Sequence, residues 1–232
     1  GHLDSNRFVV IVRELNDDVD EAIARCEAKL ARLRENGGLE NLYGPQRFGL
    51  DGINLERGFG AIAATRLDKR FTFVASAAQS GVFNLYVWRR REGGGLRHVL
   101  PGDVLRKTES GGMFVTEDSA ADQQRLLDGE LQITGPIPGA KTRRPDEGTP
   151  SSAFEDAILA EAGLSYDELE RHGKRLPGSR RPCTIPIEAL RLRIEPVPGV
   201  GGLEEGLRFE FTLPAGSFAT QLLRELQEGA PS

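Results

Sequence analysis

Two stretches in the last third of the chain alternate apolar and polar residues with a period of two. In residues 188–196, Leu190, Leu192 and Ile194 alternate with charged residues, and residues 206–213 (GLRFEFTL) repeat the pattern. Because successive side chains of a strand point to opposite faces, the pattern predicts two strands that each bury one face. Glycines lie between the two stretches, so we expect an antiparallel hairpin.

The rest of the chain mixes strands with helices. Residues 7–15 (RFVVIVREL) are apolar and β-branched and predict a strand, and residues 16–38 have the period of an amphipathic helix. Residues 71–91 predict a long helix whose apolar stripe ends at Trp88. Further along we expect strands at 101–107, 111–117 and 131–137, helices at 118–129 and 216–226, and a helix at 151–173 that is interrupted near Gly163.

Composition narrows the function classes. The chain has 232 residues and a formal net charge of −5, so no global basic field indicates a nucleic-acid partner, and local clusters have to be considered separately. No apolar run approaches the length of a membrane span, and the two cysteines and three histidines match no zinc spacing. We therefore expect a protein without a metal or a membrane anchor, in the cytoplasm.

The stretch NLYGPQRFG, residues 41–49, is unusually rich in recognition chemistry for a loop. It combines two amides (Asn41 and Gln46), a cation (Arg47) and the ring of Tyr43. Each residue alone has an ordinary interpretation, since amides cap turns and arginines are commonly solvated. The combination is more informative than its members.

This stretch resembles the Asn-Tyr-Phe-Gly-x-Gln-Arg-Phe-Gly signature of the TruD family of tRNA pseudouridine synthases. Residues 73–84 (FVASAAQSGVFN) are similar to the family's Ser-Ala-x-x-Ser-x-Leu-Phe-Asn helix, and residues 211–226 (FTLPAGSFATQLLREL) to its C-terminal signature. GDVL at 102–105 and ITGPIPG at 133–139 resemble strands of its insertion domain. The similar stretches fall in the family's order and cover nearly the whole chain.

The resemblance implies an α+β fold: a pseudouridine synthase core of a mixed, mainly antiparallel sheet with helices, here incomplete, carrying an inserted α/β TruD-specific domain. Residues 1–65 and 183–232 would form the partial, discontinuous core, and residues 66–182 the insertion domain. The implied activity is the isomerisation of a uridine, at position 13 of tRNA, to pseudouridine through a flipped-out base. The implied partner is tRNA, and no cofactor is implied.

The resemblance also implies substrate contacts for five residues: Asn41, Tyr43, Gln46, Arg47 and Phe218. Tyr43, where the family has Phe, and Phe218 offer flat rings for a flipped base. Asn41 can serve a polar network or a uracil edge. Gln46 and Arg47 would position the loop or contact phosphate. We expect the loop 41–49 and Phe218 to meet in space.

Four cations between residues 171 and 193 are candidates for contact with the RNA backbone: Lys174, Arg175, Arg180 and Arg181. We interpret the run Arg89–Arg91 instead as the solvated, basic end of a helix.

One family motif has no match. The catalytic Asp of the family lies in a Lys-Asp-x-x-Ala-x-Thr-x-Gln motif, upstream of the strand that begins here near Asn6, and the 232 residues contain no such sequence. Asp68 lacks the Ala-Thr-Gln context. We therefore expect no catalytic residue in this chain, an N-terminal segment of the same protein that supplies it, and no activity of the chain alone. The alternative is a non-catalytic RNA-binding module derived from that fold.

Overall fold

The computed structural model describes residues 5–93 and 95–227. Its strands are β1 (Ser5–Arg13), β2 (Leu39–Glu40), β3 (Val104–Lys107), β4 (Met113–Val115), β5 (Leu131–Ile137), β6 (Ser179–Pro182), β7 (Thr184–Ile185), β8 (Arg193–Val197) and β9 (Gly206–Pro214). Its helices are α1 (Val19–Glu35), α2 (Pro45–Phe48), α3 (Ile53–Ala63), α4 (Thr72–Glu92), α5 (Ser119–Leu127), α6 (Pro150–Glu161), α7 (Tyr166–Glu170) and α8 (Ala219–Gln227). The chain forms two units, unit 1 (Gly1–Asn41 and Thr184–Ser232) and unit 2 (Leu42–Cys183).

Unit 1 contains an antiparallel sheet in the order β1-β9-β8. Phe8 pairs with Phe211 and Val10 with Phe209, and these side chains share a core with residues of α1 and α8, such as Leu222. The predicted hairpin of β8 and β9 is confirmed. The strand predicted at 7–15 and the helix predicted at 216–226 are also confirmed, as β1 and α8. The first alternating stretch, however, becomes extended only at Arg193, because Ile187–Leu190 is a 3-10 turn and Arg191 adopts a left-handed conformation (φ 47°).

Unit 2 contains a second antiparallel sheet, in the order β4-β3-β5-β6, and the long helix α4 packs against β5. Phe83 and Tyr86 of α4 are fully buried, together with Leu105 of β3. Trp88, which we expected on the apolar stripe, is 49% exposed and therefore lies outside the core. Together the two sheets and their helices confirm the expected α+β class.

Helix α3 was not predicted from the sequence. It packs along α4 at Gly58, where a Cβ atom would lie only 2.2 Å from the carbonyl oxygen of Val74. Because α3 packs against α4, it belongs to unit 2, which comprises Leu42–Cys183. The assignment of 1–65 and 183–232 to the core and 66–182 to the insertion stays a prediction.

The C-terminal end of α4 is not a solvated basic run as expected. Arg90 is buried and forms an ion pair with Asp103, with 2.9 Å between Nη1 and Oδ1. Ser151 donates a further hydrogen bond to the same carboxylate. The expectation was wrong for Arg90 because one side of the helix end faces the core of unit 2.

Among the described residues, none of the helices combines the length and the apolar character that a membrane span requires.

Candidate functional site

The second half of the stretch 42–49 is not an open loop, because Pro45–Phe48 forms α2, a single helical turn. Pro45 occupies the first helical position, which suits proline because no hydrogen bond needs its missing N–H. Gly49 ends the turn in a left-handed conformation (φ 78°), where a Cβ atom would lie 2.8 Å from the Asn54 side chain. The turn fixes the positions of Gln46, which is exposed, and Arg47, which is half-buried.

The backbone of Tyr43 is held by one side chain of α4. The Tyr43 N–H donates to Oδ1 of Asn84 at 2.9 Å, and Nδ2 of Asn84 donates to the Tyr43 carbonyl at 3.0 Å. The amide of Asn84 therefore pairs with Tyr43 in both directions, as one strand pairs with another. This arrangement links two of the stretches that carried the family resemblance.

The ring of Tyr43 lies between another ring and two cations. It packs edge-to-face on Phe83, with 5.8 Å between centroids. The guanidinium carbon of Arg181 lies 4.3 Å from the Tyr43 centroid and that of Arg47 lies 5.8 Å from it. We call Tyr43, Arg47, Phe83, Asn84 and Arg181 the Tyr43 cluster; all five belong to unit 2.

Arg47 is held by hydroxyl groups on one face of α4. Its Nε donates to Ser80 at 3.1 Å and its Nη2 donates to Ser76 at 2.8 Å. Among residues 5–93 and 95–227, Arg47 forms no ion pair with a carboxylate. Its positive charge is thus positioned without being neutralised by a neighbouring side chain.

Arg180 and Arg181 are neighbours in β6 but have different environments, because successive residues of a strand point to opposite faces. Arg180 is buried and forms an ion pair with Glu155, with 2.6 Å between Nη2 and Oε1. The candidate role of Arg180 in binding the RNA backbone is therefore wrong, since its guanidinium lies in the core. Arg181 stays half-buried at the Tyr43 ring; burial lowers its pKa below the ordinary value, and the hydrogen bond to Tyr43 opposes that shift.

The other two backbone candidates lie in the 3-10 turn Gly173–Arg175. Lys174 is exposed, whereas Arg175 is half-buried and donates to the carbonyl of Leu67. Contact with phosphate stays a prediction for both.

Asn41 and the C-terminal signature meet within unit 1. The hydroxyl of Ser217 donates to Oδ1 of Asn41 at 2.9 Å, across 176 positions of sequence. Asn41 is buried and Phe218 is half-buried. The predicted approach of Tyr43 to Phe218 would join the two units and stays a prediction.

A groove of about 360 Å³ opens on the sheet of unit 1 and contains none of the predicted site residues. Hydrogen bonds from Arg208 and Arg7 lower the pKa of the lining residue Glu210 below its usual range. The groove is lined by Arg7, Arg191, Arg193, Glu210, Phe211 and Thr212.

Sequence reasoning missed the roles of Ser76, Ser80, Phe83 and Asn84. The available signal was the spacing of the two serines by four residues, which places both hydroxyls on one face of a helix. The part of the chain that the structure describes holds no group of three or more His, Cys, Asp or Glu side chains placed to bind a metal ion.

Comparison with known proteins identifies the family. The family model described as "tRNA pseudouridine synthase D (TruD)" matches residues 1–58 and 59–226. The chain belongs to the TruD family. This result confirms the resemblance that the sequence motifs indicated.

Named relatives agree with the family match. The chain is 38% identical over 233 aligned residues to tRNA pseudouridine synthase D of Thermus thermophilus, covering 98% of the chain and 59% of that protein. It is 36% identical to the protein of the same name from an Anaeromyxobacter species, covering 98% of the chain and 63% of that protein. The chain thus spans about three fifths of the length of these TruD relatives.

A solved structure supports the fold. The crystal structure of the putative tRNA pseudouridine synthase D from Methanosarcina mazei matches with a TM-score of 0.74 and 20% sequence identity, over 98% of this chain and 69% of that one. At that identity the similarity establishes the TruD fold and leaves function to other observations.

Proposed function

We propose that the protein containing this chain isomerises a uridine of tRNA, at position 13, to pseudouridine. The observation that carries the proposal is the TruD family match over residues 1–58 and 59–226. The names of the relatives support tRNA as the substrate. The reaction rearranges atoms within one nucleotide, so the proposal includes no metal and no organic cofactor, and it assigns the protein to the cytoplasm.

In this proposal, aromatic side chains bind the flipped base by stacking on it. Removing a uridine from its stack costs a few kcal/mol, and stacking on an aromatic side chain contributes about 1–3 kcal/mol per base. Tyr43 and Phe218 take this role in the proposal. Asn41 holds Ser217, the neighbour of Phe218, and so acts as a positioning residue.

The cations contact the RNA backbone. Arg181 lies at the Tyr43 ring, where a phosphate next to the flipped base would lie within its reach. Arg47 and the exposed Gln46 are neighbours in α2 and contact the same RNA backbone, and Lys174 and Arg175 contact phosphates further along the strand. Arg180 has no part in this interface, because its charge pairs with Glu155 in the core.

The attack on the sugar–base centre needs an Asp carboxylate. We assign it to a Lys-Asp-x-x-Ala-x-Thr-x-Gln motif outside these 232 residues, since the sequence contains no match. The same observation favours the alternative, a non-catalytic RNA-binding module. The parental reading frame distinguishes the two, because only the enzyme requires that motif.

The test measures pseudouridine in unmodified tRNA after incubation with this chain or with the parental protein. We expect product from the parent and none from the chain alone, because binding without the carboxylate supplies no covalent or electrostatic catalysis at the sugar. Product from the chain alone would contradict the assignment of the carboxylate. A parent that carries the motif and forms no product would contradict the proposed function.

Variants of the parent locate the pocket. Phe218→Ala should lower kcat by about 5-fold or more, the equivalent of one lost stacking contact. Tyr43→Phe is the matched comparison, because it keeps the ring and loses only the hydroxyl that hydrogen-bonds with Arg181; it should retain most of the wild-type rate, whereas Tyr43→Ala should not. Full activity of Phe218→Ala would remove Phe218 from the pocket.

A further inference from the structure

Two phenylalanines at the start of α4 lie on the surface. Phe73 is 60% exposed and Phe71 is 47% exposed. Phenylalanine is among the residues most often buried, so two exposed rings within three positions indicate a surface that binds something. Neither ring belongs to the site residues named above.

Each of these rings has an arginine beside it. The guanidinium carbon of Arg47 lies 5.5 Å from the Phe73 centroid, and that of Arg70 lies 5.8 Å from the Phe71 centroid. Arg47 is fixed by the hydroxyls of Ser76 and Ser80. We call Arg47, Arg70, Phe71 and Phe73 the Phe73 platform; all four belong to unit 2.

The local charge favours a polyanion. Residues 66–73 (RLDKRFTF) hold three cations and one carboxylate, in a chain whose net charge is −5. The carboxylate, Asp68, pairs with Arg70 at the surface, where solvent screens the attraction. Rings interleaved with cations suit single-stranded nucleic acid, since bases stack on the rings while phosphates contact the cations.

The geometry points to a base-stacking site: the Phe73 platform binds an unpaired nucleotide of the RNA, adjacent to the one that enters the Tyr43 cluster. Arg47 connects the two places, because its guanidinium lies near both rings, 5.8 Å from the centroid of Tyr43 and 5.5 Å from that of Phe73. The choice of RNA as ligand rests on the proposed function. The nucleotide's position and the residues that hold it go beyond that function.

The chain contains a single tryptophan, which allows a direct test. The double variant Trp88→Phe/Phe73→Trp moves the indole to the platform. Titration with a single-stranded uridine dodecamer should quench its fluorescence, and a duplex of the same length should quench it far less, because paired bases are not available for stacking. The wild-type chain is the matched control, since Trp88 lies at the other end of α4 beside Arg89.

Affinity provides the second measurement. Phe73→Ala should weaken binding of the labelled dodecamer by about 5-fold or more, whereas Trp88→Ala, which removes another exposed ring from the same helix, should stay within about twofold. Phe73→Leu distinguishes stacking from apolar burial, because it keeps the bulk and loses the π face. Wild-type affinity of Phe73→Leu would therefore contradict a stacking role.

Three further results would overturn the platform. The first is that the dodecamer binds without quenching the introduced indole. The second is that the wild-type chain does not bind the dodecamer. The third is that the emission changes with protein concentration alone, which would indicate a second copy as the occupant. Pseudouridine formation by the parent is measured separately. An active parent with an unquenched indole contradicts the platform and leaves the proposed function intact, whereas an inactive parent contradicts the proposed function.

Discussion

Each end of helix α4 has an exposed aromatic ring beside an arginine, but the two arginines have different hydrogen-bond partners. At the N-terminal end an exposed ring, Phe73, lies beside Arg47, and at the C-terminal end an exposed ring, Trp88, lies beside Arg89. Arg47 is held by serine hydroxyls, whereas Arg89 pairs with Glu161 and Glu92.

We expect the pairing of the cations, rather than their number, to decide whether a segment binds an anion. The C-terminal end has three consecutive arginines, yet Arg89 and Arg90 pair with carboxylates. At the N-terminal end one of the cations, Arg47, comes from α2. The serine hydroxyls that hold it are uncharged and do not neutralise it. For this helix we therefore expect structural effects from variants at the C-terminal end and functional effects at the N-terminal end.

The largest effect expected is that of Arg90→Met. This variant leaves the Asp103 carboxylate buried without its partner, which should lower the free energy of unfolding by about 3–5 kcal/mol. Urea denaturation followed by circular dichroism measures the loss. Arg91→Ala is the control, because Arg91 is the next residue and is exposed. It should change the free energy of unfolding by less than about 0.5 kcal/mol. Equal effects of the two variants would contradict the distinction between buried and exposed arginines.

The next effect in size is that of Asn84→Ala, which removes both hydrogen bonds to the Tyr43 backbone. At about 0.5–1.5 kcal/mol for each bond, unit 2 should lose about 1–3 kcal/mol of stability. Asn84→Asp keeps the acceptor for the Tyr43 N–H but places a carboxylate oxygen against the Tyr43 carbonyl, so it should also lose stability, and urea denaturation measures both variants. Wild-type stability of Asn84→Ala would contradict the role of Asn84 in holding the Tyr43 backbone.

The smallest effect expected is that of Arg89→Ala. Its ion pairs with Glu161 and Glu92 are exposed, so their removal should shift the urea midpoint only slightly, and less at high salt than at low salt. RNA affinity should stay at the wild-type value, in contrast to Phe73→Ala. A large loss of RNA affinity would contradict the assignment of the two ends.

Much of the fold followed from periodicity. The alternation in residues 206–213 predicted β9, and the 3.6-residue period of residues 71–91 predicted α4. Helix α3 escaped prediction because Gly58 and Gly60 weaken its helical propensity. Gly58 is nevertheless what lets α3 approach α4, a reason that only the packed structure reveals.

The candidate site was less predictable. The motifs identified Tyr43 and Arg47, but which side chains hold them depends on contacts between distant parts of the sequence, such as Tyr43 with Asn84. Arg180 and Arg181 have the same chemistry in sequence and lie on opposite faces of β6. The buried partner of Arg180, Glu155, comes from α6, and no local pattern indicates that pair.

We expect RNA to bind at the N-terminal end of α4 and at the Tyr43 cluster. Ultraviolet crosslinking of tRNA to the chain, with the crosslinked residues assigned by mass spectrometry, tests it most directly. Trypsin releases residues 71–89 as one peptide that contains both Phe73 and Trp88, so this peptide has to be fragmented in the mass spectrometer to locate the crosslinked residue. Crosslinks are expected at Tyr43, Phe71 or Phe73, and crosslinks confined to Trp88 and its neighbours would contradict RNA binding at these two places.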